Sequence, residues 1–162
     1  VDASGQAAYL GGMDDTALAQ PIVAMQATPS GNGYWLVASD GGVFSFGDAR
    51  FHGSAGAEPL QGSTVALEST PTGHGYWLVT SAGEVRAYGD AVLHGDMSAF
   101  RLAAPVVDIT RSPLGDGYWL VASDGGIFGP SEYTEEGTFE LTRSGGDWRI
   151  ELAPWQLAIC VA

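Results

Sequence analysis

The pentapeptide Gly-Tyr-Trp-Leu-Val occurs three times in this chain, at 33–37, 75–79 and 117–121, with 42 residues from one copy to the next. Two aromatic and two aliphatic side chains in succession leave the run no polar side. A strand with that pattern is covered on both faces. The chain therefore has to supply neighbours on each side of a strand that it makes three times over. Tyr34, Trp35 and their counterparts are expected to be core, since buried aromatic side chains dominate the energetics of β-structure.

The residues around the first copy divide into four short runs. The stretch 22–28 alternates, with Val23, Met25 and Ala27 on one side and Ala24 and Gln26 on the other. Pro-Ser-Gly-Asn-Gly at 29–33 interrupts it, and 34–39 forms the second run. Ser-Asp-Gly-Gly at 39–42 reads as a tight turn, because Asp-Gly and Gly-Gly tolerate the positive φ angles of a two-residue hairpin loop. A third run at 43–46, a Gly-Asp-Ala turn at 47–49 and a fourth run at 50–53 complete the unit. Pro-x-Gly-x-Gly recurs at 71–75 and 113–117, Gly-Asp-Ala at 89–91, and Gly-Gln-Ala fills the same slot at 5–7. Leu18, Leu60 and Leu102 keep the same interval.

A fixed period of about 40–45 residues holding several short apolar runs is that of a β-propeller blade. The expected fold is all-β, with β-propeller blades of four antiparallel strands, three blades per chain, and a C-terminal β-hairpin tail. The repeat region is 1–128, with repeats at about 22–54, 64–96 and 105–128, the last closed by 5–12. The tail is 129–162. Within it Phe139 and Leu141 alternate with polar residues, Ser-Gly-Gly-Asp at 144–147 is a turn, and 148–152 alternates again, which is a hairpin pattern. The apolar end at 153–162 is expected to be covered, with Cys160 buried in it.

Three blades are fewer than the four to eight of closed propellers. The tail supplies a makeshift fourth blade, or two chains pair into a six-bladed ring, or the chain is a piece of a longer array. An open stack would leave apolar faces in water, so a homo-oligomer that closes a ring is expected.

Net charge is −13, and all six basic residues are Arg. Nucleic-acid binding draws its affinity from cations that displace phosphate counterions, so nucleic acid and anionic membranes are not expected partners. No run of 18 apolar residues is present to span a membrane. The start Val-Asp-Ala-Ser has no signal-peptide character.

The stretch Pro-Ile-Val-Ala-Met at 21–25, followed by Gly-Tyr-Trp-Leu-Val-Ala-Ser-Asp-Gly-Gly-Val-Phe-Ser-Phe-Gly-Asp-Ala-Arg-Phe at 33–51, resembles a tandem repeat common in secreted actinobacterial proteins. There it stands beside cell-wall hydrolases and other extracellular modules. The resemblance covers roughly 5–128 and implies an extracellular, cell-wall-associated propeller used for binding or display. No catalytic residues come with it, and the tail lies outside it.

The chemistry-bearing residues select no enzyme. His52 and His94 share one repeat slot with Leu10, His74 lies in a turn, and no convergent ligand set suggests a metal. Asp48 and Asp90 share a slot with Gln6, which marks them as turn residues. No nucleophile elbow or phosphate loop is present, and no pair of carboxylates is singled out for glycoside hydrolysis. No cofactor is expected. Binding is expected from the loops, which carry function on rigid scaffolds. The second-to-third turns hold Asp40 and Asp124, with Ala82 between them in the repeat; the connections hold Asp14 and Asp15, Glu58, and Phe100 and Arg101. The expected function is a secreted, non-catalytic module for carbohydrate or another cell-surface partner. The alternative is a structural or assembly repeat without a small-molecule ligand.

Overall fold

The computed structural model describes residues 7–129 and the backbone of two further strands, 140–144 and 147–151. Two compact units result, Val1–Pro130 and Ser131–Ala162. The first contains β1 (Ile22–Ala27), β2 (Gly33–Ala38), β3 (Val43–Gly47), β4 (Thr64–Ser69), β5 (Gly75–Thr80), β6 (Val85–Gly89), β7 (Val106–Arg111), β8 (Tyr118–Ala122) and β9 (Ile127–Phe128). They form three antiparallel sheets of three strands, ordered β1-β2-β3, β4-β5-β6 and β7-β8-β9. The second unit contributes a hairpin of β10 (Glu140–Ser144) and β11 (Asp147–Glu151), with Leu141 opposite Ile150. The described residues are thus all-β, without a helix. The acidic stretch 132–136, the apolar end 153–162 with Cys160, and Gly5 and Gln6 lie outside them.

The three sheets share one register. Leu36, Leu78 and Leu120 pair with Met25, Leu67 and Ile109, and each first strand shifts register at its second residue. The first two pentapeptides open on glycine where the third strand crosses close beneath them. A Cβ on Gly75 would stand 2.5 Å from the Tyr88 carbonyl oxygen and 2.6 Å from an Asp90 carboxylate oxygen. No side chain fits there.

The turn at 39–42 differs from the two-residue form expected of it. Only Gly41 takes a positive φ, of 86°, as do Gly83 and Gly125 in the equivalent turns. The Gly41 amide donates to the Ala38 carbonyl at 2.9 Å, and the Ala38 amide to the Gly42 carbonyl at 2.8 Å. That is a three-residue loop, 39–41, closed by the Ala38–Gly42 pair and ended by a left-handed glycine. Asp40 does not need a positive φ; its carboxylate accepts the Gly42 amide at 2.9 Å.

Among the described residues, the fourth runs at 50–53 and 92–95 are not ladder strands. Residues 50–53 form no sheet pairing, because side chains hold their backbone instead. Trp35 Nε1 of the same unit donates to the Arg50 carbonyl at 2.8 Å. Tyr76 Oη of the next unit accepts the His52 amide at 3.1 Å and donates to the Gly53 carbonyl. Trp77 and Tyr118 hold Val92, His94 and Gly95 in the same way. Residues 10 and 11 sit likewise on Tyr34. The segments 50–53 and 92–95 are each clipped between two consecutive sheets, with three of their backbone groups satisfied by side chains and not by a neighbouring strand.

The core lies between the sheets. Between the first and second, Trp35, Val37 and Val43 pack against Leu67, Tyr76 and Leu78; between the second and third, Trp77, Val79 and Val85 pack against Ile109, Tyr118 and Leu120. The tryptophan and tyrosine rings meet at 5.6 Å and 5.5 Å between centroids. Strand β4 lies against both β1 and β7, and β1 and β7 do not touch each other. The middle sheet is therefore covered on both faces, as its apolar sequence demands. Val23, Met25 and Ala27, which share one side of β1, are exposed. Leu67, the counterpart of Met25, packs against the first sheet, and among the described residues no sheet precedes β1; Val107, the counterpart of Val23 in β7, is exposed as well.

Candidate functional site

The turns between second and third strands and the connections between sheets lie along one rim. The Ala55 amide donates to the Gly41 carbonyl at 3.0 Å and the Met97 amide to the Gly83 carbonyl at 2.9 Å. A Cβ on Gly83 would meet Met97 and Leu102. Backbone bonds join the rim from unit to unit, from Thr64 N to Ser39 O at 2.9 Å and from Val106 N to Ser81 O at 3.0 Å. The loops are thereby fastened to the sheets they connect.

The turn after β5 is flanked from both sides and carries the densest polar cluster on that rim. Glu84 is buried; one carboxylate oxygen accepts the Gln61 amide at 2.6 Å and the other accepts Arg86 Nε at 2.7 Å. Arg86 also reaches the Pro59 carbonyl at 3.3 Å and the Glu58 carboxylate at 3.4 Å. On the other side the Phe100 amide donates to the Met97 carbonyl at 2.9 Å, closing the loop that rests on Gly83. The cluster offers a planar guanidinium held in place by carboxylates, with a half-buried aromatic ring on the adjoining loop. Such groups donate to and accept from hydroxyls and carbonyls of a polar ligand.

Among the expected residues, Glu58 is the one brought into this cluster. Asp40 and Asp124 hold their own turns, accepting the amides of Gly42 and Gly126. Asp14 and Asp15 are exposed in the connection before β1, where Tyr9 Oη donates to Asp14 at 3.5 Å. Arg101 is exposed beside Phe100. The expected set is thus distributed along the rim and does not converge. Reading the sequence passed over Gln61, Glu84 and Arg86. Their signal is a departure from the repeat: Glu84 stands where the other units have Gly42 and Gly126, and Arg86 where they have Phe44 and Phe128.

Two further polar motifs serve the fold. Asp48 accepts Thr28 at 2.9 Å and Ser30 at 2.5 Å, tying the exit of β3 to the turn before β2. The hydroxyls of Ser30 and Thr28 hold its carboxyl below its ordinary value. Asp90 accepts Thr70 and Thr72 in the same way; burial pushes its carboxyl up, and those two hydroxyls outweigh it and bring it down. On the first strands, Arg111 of β7 donates to Glu68 of β4 at 2.9 Å. Burial nonetheless raises the Glu68 carboxyl, against the opposing pull of the guanidinium. His52 and His94 lie edge-on to Tyr76 and Tyr118, 5.6 Å and 5.8 Å between centroids, as packing residues. Among the described residues no three His, Cys, Asp or Glu side chains come together as metal ligands.

No protein-family model matches the sequence, and no curated protein does. Among solved structures, the fold is similar to the β-propeller domain of Myceliophteria thermophila Cps50 (Swd1), with a TM-score of 0.48 at 14% identity over 73% of this chain. The chain spans 37% of the length of that structure. The described residues are all-β, with three antiparallel three-stranded sheets and a polar cluster on the rim those sheets share.

Proposed function

We propose that the chain is a secreted, non-catalytic β-propeller module that binds carbohydrate or another cell-surface partner through its rim. The observation that carries this is the rim cluster of Glu58, Glu84 and Arg86, with Phe100 on the next connection, built from residues that break the repeat on a frame that keeps it. The propeller reading rests on the period and on first strands that stand side by side in the order β1, β4, β7. The clipped segment of each unit is the counterpart of a blade's fourth strand. Extracellular placement, with cell-wall association, rests on the resemblance of the repeat. The non-catalytic character rests on the motifs the sequence lacks. A glycan array probed with wild type, Phe100→Ala and Arg86→Ala tests the reading. Binding that both variants weaken at least tenfold is the expected result, and no binding above background removes the carbohydrate ligand.

A second reading, an assembly module without a small ligand, is favoured by the apolar side chains exposed on the first and third sheets. Light scattering separates the two, since a stable oligomer that binds no glycan points to assembly alone.

A further inference from the structure

The two interfaces inside this chain are built alike, and each pairs two different halves. One half is a Trp-Val-Val face from β2 and β3 or from β5 and β6. The other is a face of Leu or Ile, Tyr and Leu from the first two strands of the following sheet. Among the described residues one further copy of each half is unpaired. Trp119 is 41% exposed and Ile127 is 58% exposed, whereas their counterparts Trp35, Trp77, Val43 and Val85 are buried. On the first sheet Met25 is 63% exposed and Tyr34 is half-buried, whereas Leu67, Ile109, Tyr76 and Tyr118 are buried.

The clipped segments carry the same message. Residues 10 and 11 sit on Tyr34 as 52 and 53 sit on Tyr76, with the Leu10 amide donating to Tyr34 Oη at 3.2 Å. In both interior copies the preceding tryptophan, 15 residues before, donates to the carbonyl of the same segment. By the 42-residue offset the carbonyl in that position on the first segment is that of Ala8. The third sheet has the tryptophan, and the residues after Gly129 depart from the Gly-Asp-Ala pattern that opens the other segments.

We infer that Trp119 of one copy of this chain docks on Tyr34 and Met25 of a second copy, with Trp119 Nε1 donating to the Ala8 carbonyl across the junction. Made twice about a two-fold axis, this junction gives six sheets in a closed ring, within the four to eight of known propellers. Residues 7–11 of each copy then complete the third sheet of the other. The inference rests on the propeller reading of the sheets and is independent of any rim ligand.

The test uses the full chain under reducing conditions, which keep Cys160 from cross-linking copies. Light scattering on wild type is expected to give twice the chain mass at micromolar concentration. Trp119→Ala is expected to give the chain mass with an unchanged far-ultraviolet spectrum. Because that variant could lose its fold, benzoylphenylalanine placed at 119 provides an independent readout. After irradiation an adduct between chains is expected, mapped by mass spectrometry to 8–11 or to Tyr34. A wild-type monomer, or an adduct within one chain to 131–162, overturns the inference. A dimer whose adducts fall elsewhere also overturns it, while leaving the glycan-array result to decide the rim function separately.

Discussion

Replacing Tyr76 by Phe isolates the contribution of the hydroxyl clip. The ring is buried, with Trp35, Tyr88 and His52 around it at 5.6, 5.8 and 5.6 Å between centroids. Phenylalanine keeps those contacts. What is lost is one bond accepted from the His52 amide and one donated to the Gly53 carbonyl. At about 1 kcal/mol net for each bond, the variant is about 2 kcal/mol less stable. Neither backbone group has a ladder partner, so 50–53 should also loosen. With a urea slope of about 2 kcal/mol per molar, the unfolding midpoint falls by about 1 M. Amide exchange should speed up at His52 more than in β5. Tyr88→Phe is the matched control, since the buried Tyr88 hydroxyl has no hydrogen-bond partner. Removing it should be neutral or should stabilise by up to about 1 kcal/mol. Equal urea midpoints for Tyr76→Phe and Tyr88→Phe would refute the idea that the hydroxyl holds the segment.

Arg86→Met should destabilise by about 1–2 kcal/mol, mostly because buried Glu84 loses its charged partner. Glu58→Gln should cost under about 0.5 kcal/mol, since that pair is longer and exposed; urea titrations of both variants check this. In acid, Asp48 and Asp90 have lowered folded values, so their contribution is present above an ordinary value near 3.8 and is lost as pH falls through the folded value. Glu68 is raised, so its contribution has the opposite sign: it is present below its ordinary value of 4.5 and lost as pH rises through the folded value. Thr70→Val should therefore flatten the acid loss of stability, and Glu68→Gln should steepen the net rise of stability with pH, both read from thermal midpoints between pH 3 and 6. In alkali, burial pushes Tyr118 up to about 12 from 10.0, so stability should fall as pH rises across that interval. Absorbance at 295 nm should show tyrosine ionising together with the loss of structure, and the slope of stability against pH should be shallower in Tyr118→Phe.

Much of the fold could be read from the residues because the repeat states each local rule three times. A turn at Pro-x-Gly-x-Gly, a doubly covered strand and a left-handed glycine after Asp or Ala all follow from local chemistry. The fourth run was misread as a strand for a physical reason. Phe51 and Leu93 supply the apolar character of a strand, and both are exposed. Nothing within 50–53 indicates that Trp35 and Tyr76, far away in sequence, satisfy its backbone. The exposure of Met25 has a similar origin. Alternation says which residues share a side, and the order of the sheets decides whether that side meets another sheet.

The rim cluster was hidden because charged loop residues are usually solvated, and Glu58 alone looks like one of them. Its partners are visible only when the units are compared position by position. Glu84 replaces a glycine and Arg86 replaces a phenylalanine, each change unfavourable alone in a partly covered site. Together they are compatible, since the carboxylate accepts both the guanidinium and the Gln61 amide. The same comparison separates structural acids from candidate binding ones. Asp48 and Asp90 recur with the same hydroxyl partners and so belong to the frame. The Glu58–Arg86–Glu84 group occurs once, in the unit that has a sheet on either side. A feature made once on a frame made three times is not required by the frame. This is why the rim of the middle sheet is the first place to look for a ligand.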